Sequence, residues 1–266
     1  MPRTPLRVFP SPAEIGEHLA ERLLGHIDSA RQAGNSFVLG CPTGRTPRPI
    51  YESMARKLAT KPQDLSHLVL VMMDEYLVAM GSGFKYAPAD EPWSSHHFAR
   101  VEMADRFNAA LSSPQQLREE SIWYPDPNDP AAYDKRIADA GGIDFFILAS
   151  GATDGHVAFN PPGSWRESLT RIIRLSEETR RDNLQTFPAF GRIAAVPTSG
   201  ISVGIDTIAS ANEVVMIVWG AGKRLTLARM LGADRYEPEW PATVIHECAV
   251  REILTDADAA AERAAE

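Results

Sequence analysis

Strand-length segments that are apolar almost throughout constrain the fold of this chain more than any other feature. Strands of this kind are buried on both faces, as in a parallel sheet covered by helices. Each is followed by a polar turn, and helix-like segments separate the strands, which is the order that builds parallel sheets. The sequence therefore predicts an α/β fold. Its strands are residues 36–40 (SFVLG), 67–73 (HLVLVMM), 143–149 (IDFFILA) and 213–219 (EVVMIVW), with a shorter one at 250–254 (VREIL).

The segments between the strands predict helices and one long loop. Residues 11–32 have apolar side chains at helical spacing, with Ser11 as the N-cap and Glu14 completing a capping box. Residues 77–93 are rich in Gly, Pro and Ala and are predicted to be a loop, and residues 94–111 are predicted to be a helix. The polar, Ala-rich end of the sequence predicts a frayed last helix. Because no repeat or linker divides the chain, we expect one domain over residues 1–266.

Composition excludes several classes of function. The formal net charge is −8, which argues against nucleic acid as a partner because phosphate backbones require a basic face. Cys41 and Cys248 are the only cysteines; two cysteines make no disulfide framework, so we expect a reduced, cytoplasmic protein. No stretch approaches 18 apolar residues, and no signal peptide is recognisable, so no membrane association is expected. The seven histidines show no metal-ligand spacing, so no metal is expected either.

Four predicted strands end in polar segments, and these are the candidates for a functional site. They contain Thr43, Gly44, Arg45 and Thr46 after the first strand, Asp74 and Glu75 after the second, Asp154 and His156 after the third, and Lys223 after the fourth. Ligands of open α/β sheets bind outside the carboxyl ends of the strands. Because those ends lie along one edge of a parallel sheet, we expect the four segments to converge.

Two of the segments suit an anion. The turn at residues 43–46 opens a helix, where free N–H groups and the helix dipole favour phosphate, and Arg45 adds a charge. Lys223 lies in the first turn of another predicted helix, a place that is unfavourable for a lysine unless an anion is near. The alternative is a capped turn with a solvated arginine, and a lysine that extends along the surface.

The other two segments suit proton transfer. A carboxylate such as Asp74 at the end of an apolar strand is partly desolvated, which raises its pKa towards that of a useful base. Asp154 lies two residues before His156, and a carboxylate at this spacing can orient an imidazole for proton transfer. The alternatives are that Asp74 caps a turn and that His156 is an ordinary loop histidine.

Five motifs together resemble a known family. They are residues 41–47 (CPTGRTP), 73–76 (MDEY), 142–145 (GIDF), 154–160 (DGHVAFN) and 220–223 (GAGK). Over about residues 6–254 the chain resembles the glucosamine-6-phosphate isomerase/deaminase and 6-phosphogluconolactonase family. The MDEY and DGHVAFN motifs are similar to the deaminase branch, and the GRTP turn is similar to the lactonase branch.

The resemblance implies a Rossmann-like three-layer sandwich with a mostly parallel sheet, and an activity without a cofactor. The implied substrate partner is an aldosamine 6-phosphate, whose ring is opened and whose C2 proton is removed, so that ammonia leaves and a ketose 6-phosphate forms. Asp74 matches the C2 proton acceptor, His156 the ring-opening acid and base, and Asp154 its carboxylate partner. Residues matching positions around the sugar phosphate are Thr43, Gly44 and Lys223; Arg45, Thr46, Glu75 and Gly151 complete the predicted substrate-binding set.

The chain departs from the deaminase pattern at three positions. Pro161 stands where the deaminases have the glutamate that completes their ring-opening relay. Gln185 stands where their lid, here about residues 165–190, carries a phosphate-binding arginine. Arg45 stands where they have a second glycine. Compensation by Arg45, Arg180 or Arg181 and a shift to another amino sugar or sugar phosphate both stay open.

Three hypotheses follow from these observations. The leading one is a sugar-phosphate isomerase/deaminase that uses Asp74 as its base. The second is a lactonase in which His156 activates water; Pro161 and Arg45 favour it, whereas the sequence VAFN after His156 differs from the lactonase-like Thr-Ala-Ser. The third is a sugar-phosphate sensor that binds without turnover. A homo-oligomer is one possibility, on which the resemblance is divided: family deaminases are often oligomers and family lactonases are often monomers.

Overall fold

The computed structural model describes residues 3–261. Its strands are β1 (Leu6–Phe9), β2 (Phe37–Cys41), β3 (Leu68–Met72), β4 (Asp74–Met80), β5 (Gly83–Tyr86), β6 (Ile122–Trp123), β7 (Phe145–Ala149), β8 (Arg171–Arg174), β9 (Ser199–Ser202), β10 (Glu213–Val218) and β11 (Val250–Asp256). Its α-helices are α1 (Pro12–Gln32), α2 (Arg48–Thr60), α3 (Ser95–His97), α4 (Asp105–Asn108), α5 (Pro130–Asp139), α6 (Glu177–Thr186), α7 (Ile205–Ala209), α8 (Arg224–Gly232) and α9 (Ala257–Ala260).

A seven-stranded parallel sheet forms the centre of the molecule, which confirms the predicted α/β fold. Its strand order is β1-β11-β10-β7-β2-β3-β6, and every pairing in it is parallel. The four predicted apolar strands are the neighbours β10, β7, β2 and β3 at its centre. The short fifth strand extends as β11 to Asp256 and pairs with β1. The first and the last strand of the described chain are therefore neighbours in one sheet.

Hydrophobic side chains cover both faces of this sheet. Along β7, Phe145 and Ile147 belong to one core, which also contains residues of α1 and α2. The alternate residues Phe146 and Leu148 belong to a second core, with residues of α5, α7 and α8. Since neighbouring strand side chains point to opposite faces, this alternation makes the helix–sheet–helix arrangement of a three-layer sandwich, as predicted.

A second, antiparallel sheet corrects part of the prediction of a loop at residues 77–93. Its order is β5-β4-β9-β8. β4 follows β3 after the single residue Met73, so the chain passes directly from one sheet into the other. Gly81, with a φ of 60°, and Ser82 form the turn of the β4–β5 hairpin, in which Met80 pairs with Gly83. Residues 77–80 and 83–86 of the predicted loop thus lie in strands, whereas residues 87–93 lie in no helix or strand, as predicted.

The predicted helices are largely confirmed. Helix α1 begins after Ser11, whose side chain accepts the N–H of Glu14, as the capping box requires. Residues 94–111 are helical to Asn108, but Phe98–Ala104 between α3 and α4 is a π-helical segment. The predicted last helix is α9, and residues 262–266 lie outside the described residues. Among the described helices, none is both long and apolar enough to cross a membrane.

Short 3-10 turns complete the described secondary structure. They are Ser113–Gln115, Glu119–Ser121, Pro188–Phe190, Ile193–Ala195, Ala221–Lys223 and Pro241–Glu247. Ala221–Lys223 leads directly into α8, so Lys223 immediately precedes that helix. This placement corrects the prediction of Lys223 within a first helical turn by one residue.

Candidate active site

The predicted polar segments converge on one cleft at the carboxyl ends of the central strands. The cleft has a volume of about 610 Å³, part of which is open to solvent. Eight predicted site residues line it, and they come from all four strand ends. These eight are Thr43, Gly44, Arg45, Thr46, Asp74, Gly151, His156 and Lys223.

One end of the cleft carries the groups suited to an anion. Arg45 is exposed, and Lys223 is mostly buried at the start of α8. The Lys223 ammonium donates to the carbonyl oxygen of Ser150. Burial lowers the pKa of Lys223; the nearby carboxylates of Asp182 and Asp154 act in the opposite direction. Both cations also line a neighbouring cleft, so the positive end continues towards solvent.

Gly44 shapes this end of the cleft. Its φ of 88° is a conformation that side chains rarely adopt, and a Cβ there would lie 2.8 Å from Thr186 Cγ2 of α6. The turn is also fixed by Trp219, whose Nε1–H donates to the carbonyl oxygen of Thr46 at 3.0 Å. Backbone of the turn thus lies directly beneath α6.

Asp74 lies at the junction of the two sheets. It is the first residue of β4 and pairs with Ser202, and its side chain is only 7% exposed although it lines the cleft. Burial, reinforced by the charge of Glu75, raises the pKa of Asp74 to about 7. Ser95 Oγ, 3.4 Å from Asp74 Oδ1, opposes this shift weakly. Asp74 therefore has the proton affinity of a general base at neutral pH.

Glu75, which was predicted to contact the substrate, does not line the cleft. Its fully buried carboxylate accepts hydrogen bonds from Ser94 Oγ at 2.9 Å and from the backbone N–H groups of Tyr76, Ser95 and His96. His96 Nδ1 lies 2.6 Å from the same carboxylate. Glu75 thus acts on the site through the charge that it places behind Asp74.

Asp154 and His156 form a hydrogen-bonded pair at the cleft. His156 Nδ1 lies 2.7 Å from Asp154 Oδ1, which also accepts the backbone N–H of His156. Burial acts to raise the pKa of Asp154, but the hydrogen bond and charge of His156 outweigh it, so the net shift is downward. Asp154 does not line the cleft, whereas His156 does. This hydrogen bond is the contact that the orienting role predicted for Asp154 requires.

Gly151 leaves the space that this pair occupies. A Cβ at Gly151 would lie 2.3 Å from His156 Nδ1 and 2.4 Å from Asp154 Oδ1. Any larger residue would displace the hydrogen bond between them. Gly151 is thus part of the site through its lack of a side chain.

Helix α6 supplies a wall of the cleft that the sequence did not predict. Its contributions are Asp182, Asn183 and Thr186, followed by Phe187. Asp182 Oδ2 accepts the backbone N–H of Ala152 at 3.0 Å. The apolar lining from Tyr76 and Phe159 also escaped prediction. The one signal in the sequence for the α6 wall was the position of this helix within the predicted lid segment.

Of the three arginines considered as compensation for Gln185, only Arg45 lines the cleft. Arg180 donates to the backbone carbonyl oxygens of Ile193 and Val196, and Arg181 is exposed and pairs with Glu177. Gln185 itself is exposed and lines the neighbouring cleft. The cationic end therefore depends on Arg45 and Lys223.

Asp154, His156 and Asp182 could also be considered as metal ligands. One donor atom from each lies within 4.8 Å of the others, and no other such group occurs within residues 3–261. The ammonium of Lys223 faces both carboxylates, and His156 already donates to Asp154. This donor set therefore fits proton transfer at least as well as it fits a cation.

The chain matches the family model described as glucosamine-6-phosphate isomerases/6-phosphogluconolactonase over residues 10–254. It is 32% identical over 254 residues to the glucosamine-6-phosphate deaminase of Dictyostelium discoideum, covering 94% of this chain and 90% of that protein. It is 34% identical over 226 residues to the glucosamine-6-phosphate deaminase of Beutenbergia cavernae, covering 84% and 80%.

Solved structures show the same fold. A structure described as a monomeric glucosamine-6-phosphate deaminase superposes with a TM-score of 0.78 at 25% identity, covering 96% of this chain and 98% of the other. The 6-phosphogluconolactonase from Trypanosoma cruzi superposes with a TM-score of 0.70 at 17% identity, covering 99% and 98%. The second likeness concerns the fold alone.

Proposed function

Because the chain belongs to the glucosamine-6-phosphate isomerase/6-phosphogluconolactonase family, we propose that it is an aldosamine-6-phosphate deaminase/isomerase. The reaction converts the substrate and water to a ketose 6-phosphate and ammonia. Glucosamine 6-phosphate or a related amino-sugar phosphate is the substrate class. The deaminases among its relatives support this choice over the lactonase and sensor alternatives.

Ring opening is the first step and is assigned to His156. The imidazole takes the proton of the C1 hydroxyl while the C1–O5 bond breaks, and O5 receives a proton as the aldehyde forms. Asp154, 2.7 Å from Nδ1, holds the ring and stabilises the imidazolium that exists between the two transfers. The open chain then exposes a C2–H bond next to a carbonyl group.

Asp74 takes the C2 proton in the second step. The electrons of the C–H bond form a C1=C2 double bond and O1 takes up a proton, which gives an enolamine. Return of a proton to C1 and loss of one from the nitrogen then give an imine at C2. Water adds to that imine, and ammonia leaves as the ketone forms. A carboxylate with a pKa of about 7 is ionised in a useful fraction at neutral pH and is a stronger base than an ordinary aspartate.

The phosphate is assigned to the cationic end of the cleft. The N–H groups and hydroxyls of residues 43–46 surround it, with Lys223 and Arg45 supplying positive charge. The predicted lid segment, about residues 165–190, closes over the sugar through α6. The single-domain organisation, a cytoplasmic location and the oligomeric state stay predictions.

The observation that carries this proposal is that Asp74 and His156 line one cleft together with the cations Arg45 and Lys223, and that Asp154 is hydrogen-bonded to His156. The test is proton NMR in deuterated water with hexosamine 6-phosphates, hexose 6-phosphates and 6-phosphogluconolactone. We expect ammonia release and deuterium incorporation from an aldosamine 6-phosphate. No ammonia and no exchange with any hexosamine 6-phosphate would contradict the proposal.

One observation favours lactone hydrolysis as a second candidate. Pro161, which has no titratable group, stands where the resemblance predicts a relay glutamate, and a hydrolysis in which His156 activates water needs no such group. Asp74→Asn separates the two candidates. Ammonia release depends on Asp74. A variant that releases no ammonia but still opens the lactone would therefore assign the lactone reaction to His156 alone.

A further inference from the structure

Helix α6 directs two polar side chains towards the loop that holds His156. Thr179 Oγ1 lies 3.4 Å from His156 Nδ1, and Asp182 Oδ2 accepts the N–H of Ala152 at 3.0 Å. Residues three apart share one face of a helix, so this face of α6 is applied to the loop at residues 151–156. The same face forms a wall of the cleft.

Asp182 places a second carboxylate beside the imidazole. One donor atom each of Asp154, His156 and Asp182 lies within 4.8 Å of the others. Asp182 is half-buried and lines both clefts, and its charge also acts on Lys223. A carboxylate next to a phosphate-binding lysine weakens phosphate binding, so its position calls for a role at the neighbouring histidine.

We propose that Asp182 is a positioning residue of the ring-opening site, which holds His156 from α6 and stabilises its imidazolium form together with Asp154. This assignment rests on the proposed function. It extends that function by placing part of the proton-transfer machinery on the helix that covers the cleft.

Asp182 acts while the proton resides on the imidazole. His156 takes the C1 hydroxyl proton and returns a proton to O5, so the substrate gains and loses none overall. Between these transfers the imidazolium faces two carboxylates. A neutral residue at position 182 leaves the imidazolium with a single carboxylate beside it, which raises the energy of that intermediate and slows ring opening. The rate at which the C2 proton is removed from an open-chain substrate does not change.

The Asp182→Asn variant tests this role because the amide oxygen keeps an acceptor for the Ala152 N–H. For a cyclic aldosamine 6-phosphate we expect kcat to fall about 10- to 100-fold. We expect KM to stay unchanged or to fall, and inorganic phosphate to inhibit more tightly. Both follow because the substitution removes a negative charge from the cationic end of the cleft. Asp182→Glu should retain more activity than Asp182→Asn. Glu178→Gln, at an exposed position of the same helix, is the matched control and should equal the wild type.

A substrate that cannot cyclise isolates the step. The 4,5-dideoxy analogue of the aldosamine 6-phosphate lacks the hydroxyl groups that close five- and six-membered rings. We expect Asp182→Asn and wild type to release ammonia from it at similar rates. A kcat loss of equal size on both substrates, an unchanged kcat on the cyclic one, or weaker inhibition by inorganic phosphate would overturn the assignment. A wild-type protein that releases no ammonia from either substrate would overturn the proposed function and this assignment with it.

Discussion

Asp74 and Glu75 are consecutive carboxylates that face opposite sides of β4. Asp74 lines the cleft, whereas Glu75 is fully buried behind it and receives five hydrogen bonds, two of them from His96. The alternation of side chains along a strand makes this separation. One carboxylate is therefore presented to the substrate, and the other sets the electrostatic potential at the first.

We expect Glu75→Gln to move the acid limb of the pH–rate profile to lower pH. The charge of Glu75 contributes to the raised pKa of Asp74, so its removal lowers that pKa, by about one unit or less. The measurement is kcat/KM against pH for ammonia release. Since the midpoint of a titration is independent of the amount of folded enzyme, partial loss of folding does not obscure it. Glu239→Gln, at an exposed position, is the control, and an unmoved limb in Glu75→Gln would contradict the prediction.

Asp74→Asn is expected to abolish ammonia release while stabilising the fold at alkaline pH. Asp74 has a pKa of about 7 in the folded protein against 3.8 as its ordinary value. At pH values between these two pKa values, Asp74 holds a proton in the folded state that it has lost in the unfolded state, so stability falls as pH rises. At pH 8 the neutral amide avoids the buried charge, a gain of the order of 1–4 kcal/mol.

Urea unfolding of wild type and Asp74→Asn at pH 5 and pH 8 measures this gain. The difference in the free energy of unfolding between the two proteins should be larger at pH 8. A difference that is equal at both pH values, or larger at pH 5, would show that Asp74 carries no raised pKa. Deuterium exchange at C2 in the same variant reports separately on its role as the base.

Gly151→Ala should disable the site without a general loss of folding. The added methyl group would lie 2.3 Å from His156 Nδ1 and 2.4 Å from Asp154 Oδ1, so the pair must separate. We expect kcat to fall by about 100-fold or more, in the range attributed to general acid–base catalysis. The matched control is Gly25→Ala in α1, where no atom lies within 4 Å of the new Cβ. That variant should keep its activity and gain about 0.5–1 kcal/mol of stability; equal activities in the two would contradict the prediction.

The sequence was sufficient to predict the central sheet and most of the cleft, because both follow from local patterns. Apolar strands identify a buried parallel sheet, and polar residues at their carboxyl ends identify its functional edge. Glu75 was assigned to the substrate because residues after Met73 were read as a strand end. They instead begin β4, where alternation turns Glu75 away from the cleft.

Asp182 had no comparable signal in the sequence. Helix α6 (EETRRDNLQT) is polar along its length, so its composition does not distinguish the face that covers the cleft from the face in solvent. Its contact with the loop at residues 151–156 depends on how the chain returns after β8, which is a tertiary relationship. The sequence likewise did not show where the side chains of Arg180 and Arg181 point, because this depends on the helix face that each occupies and not on its charge.

Lys223→Ala should weaken the binding of phosphorylated substrates selectively. The Lys223 ammonium lies at the cationic end of the cleft and faces Asp182 and Asp154 as well as the open space. Loss of one charge-assisted contact corresponds to about 1.5–3 kcal/mol, or roughly a 10- to 150-fold higher KM for a sugar phosphate. The comparison is kcat/KM for an aldosamine with and without its 6-phosphate. Lys135→Ala, at an exposed lysine of α5, should change neither value, and an equal loss on both sugars in Lys223→Ala would reject the assignment of the phosphate to this end of the cleft.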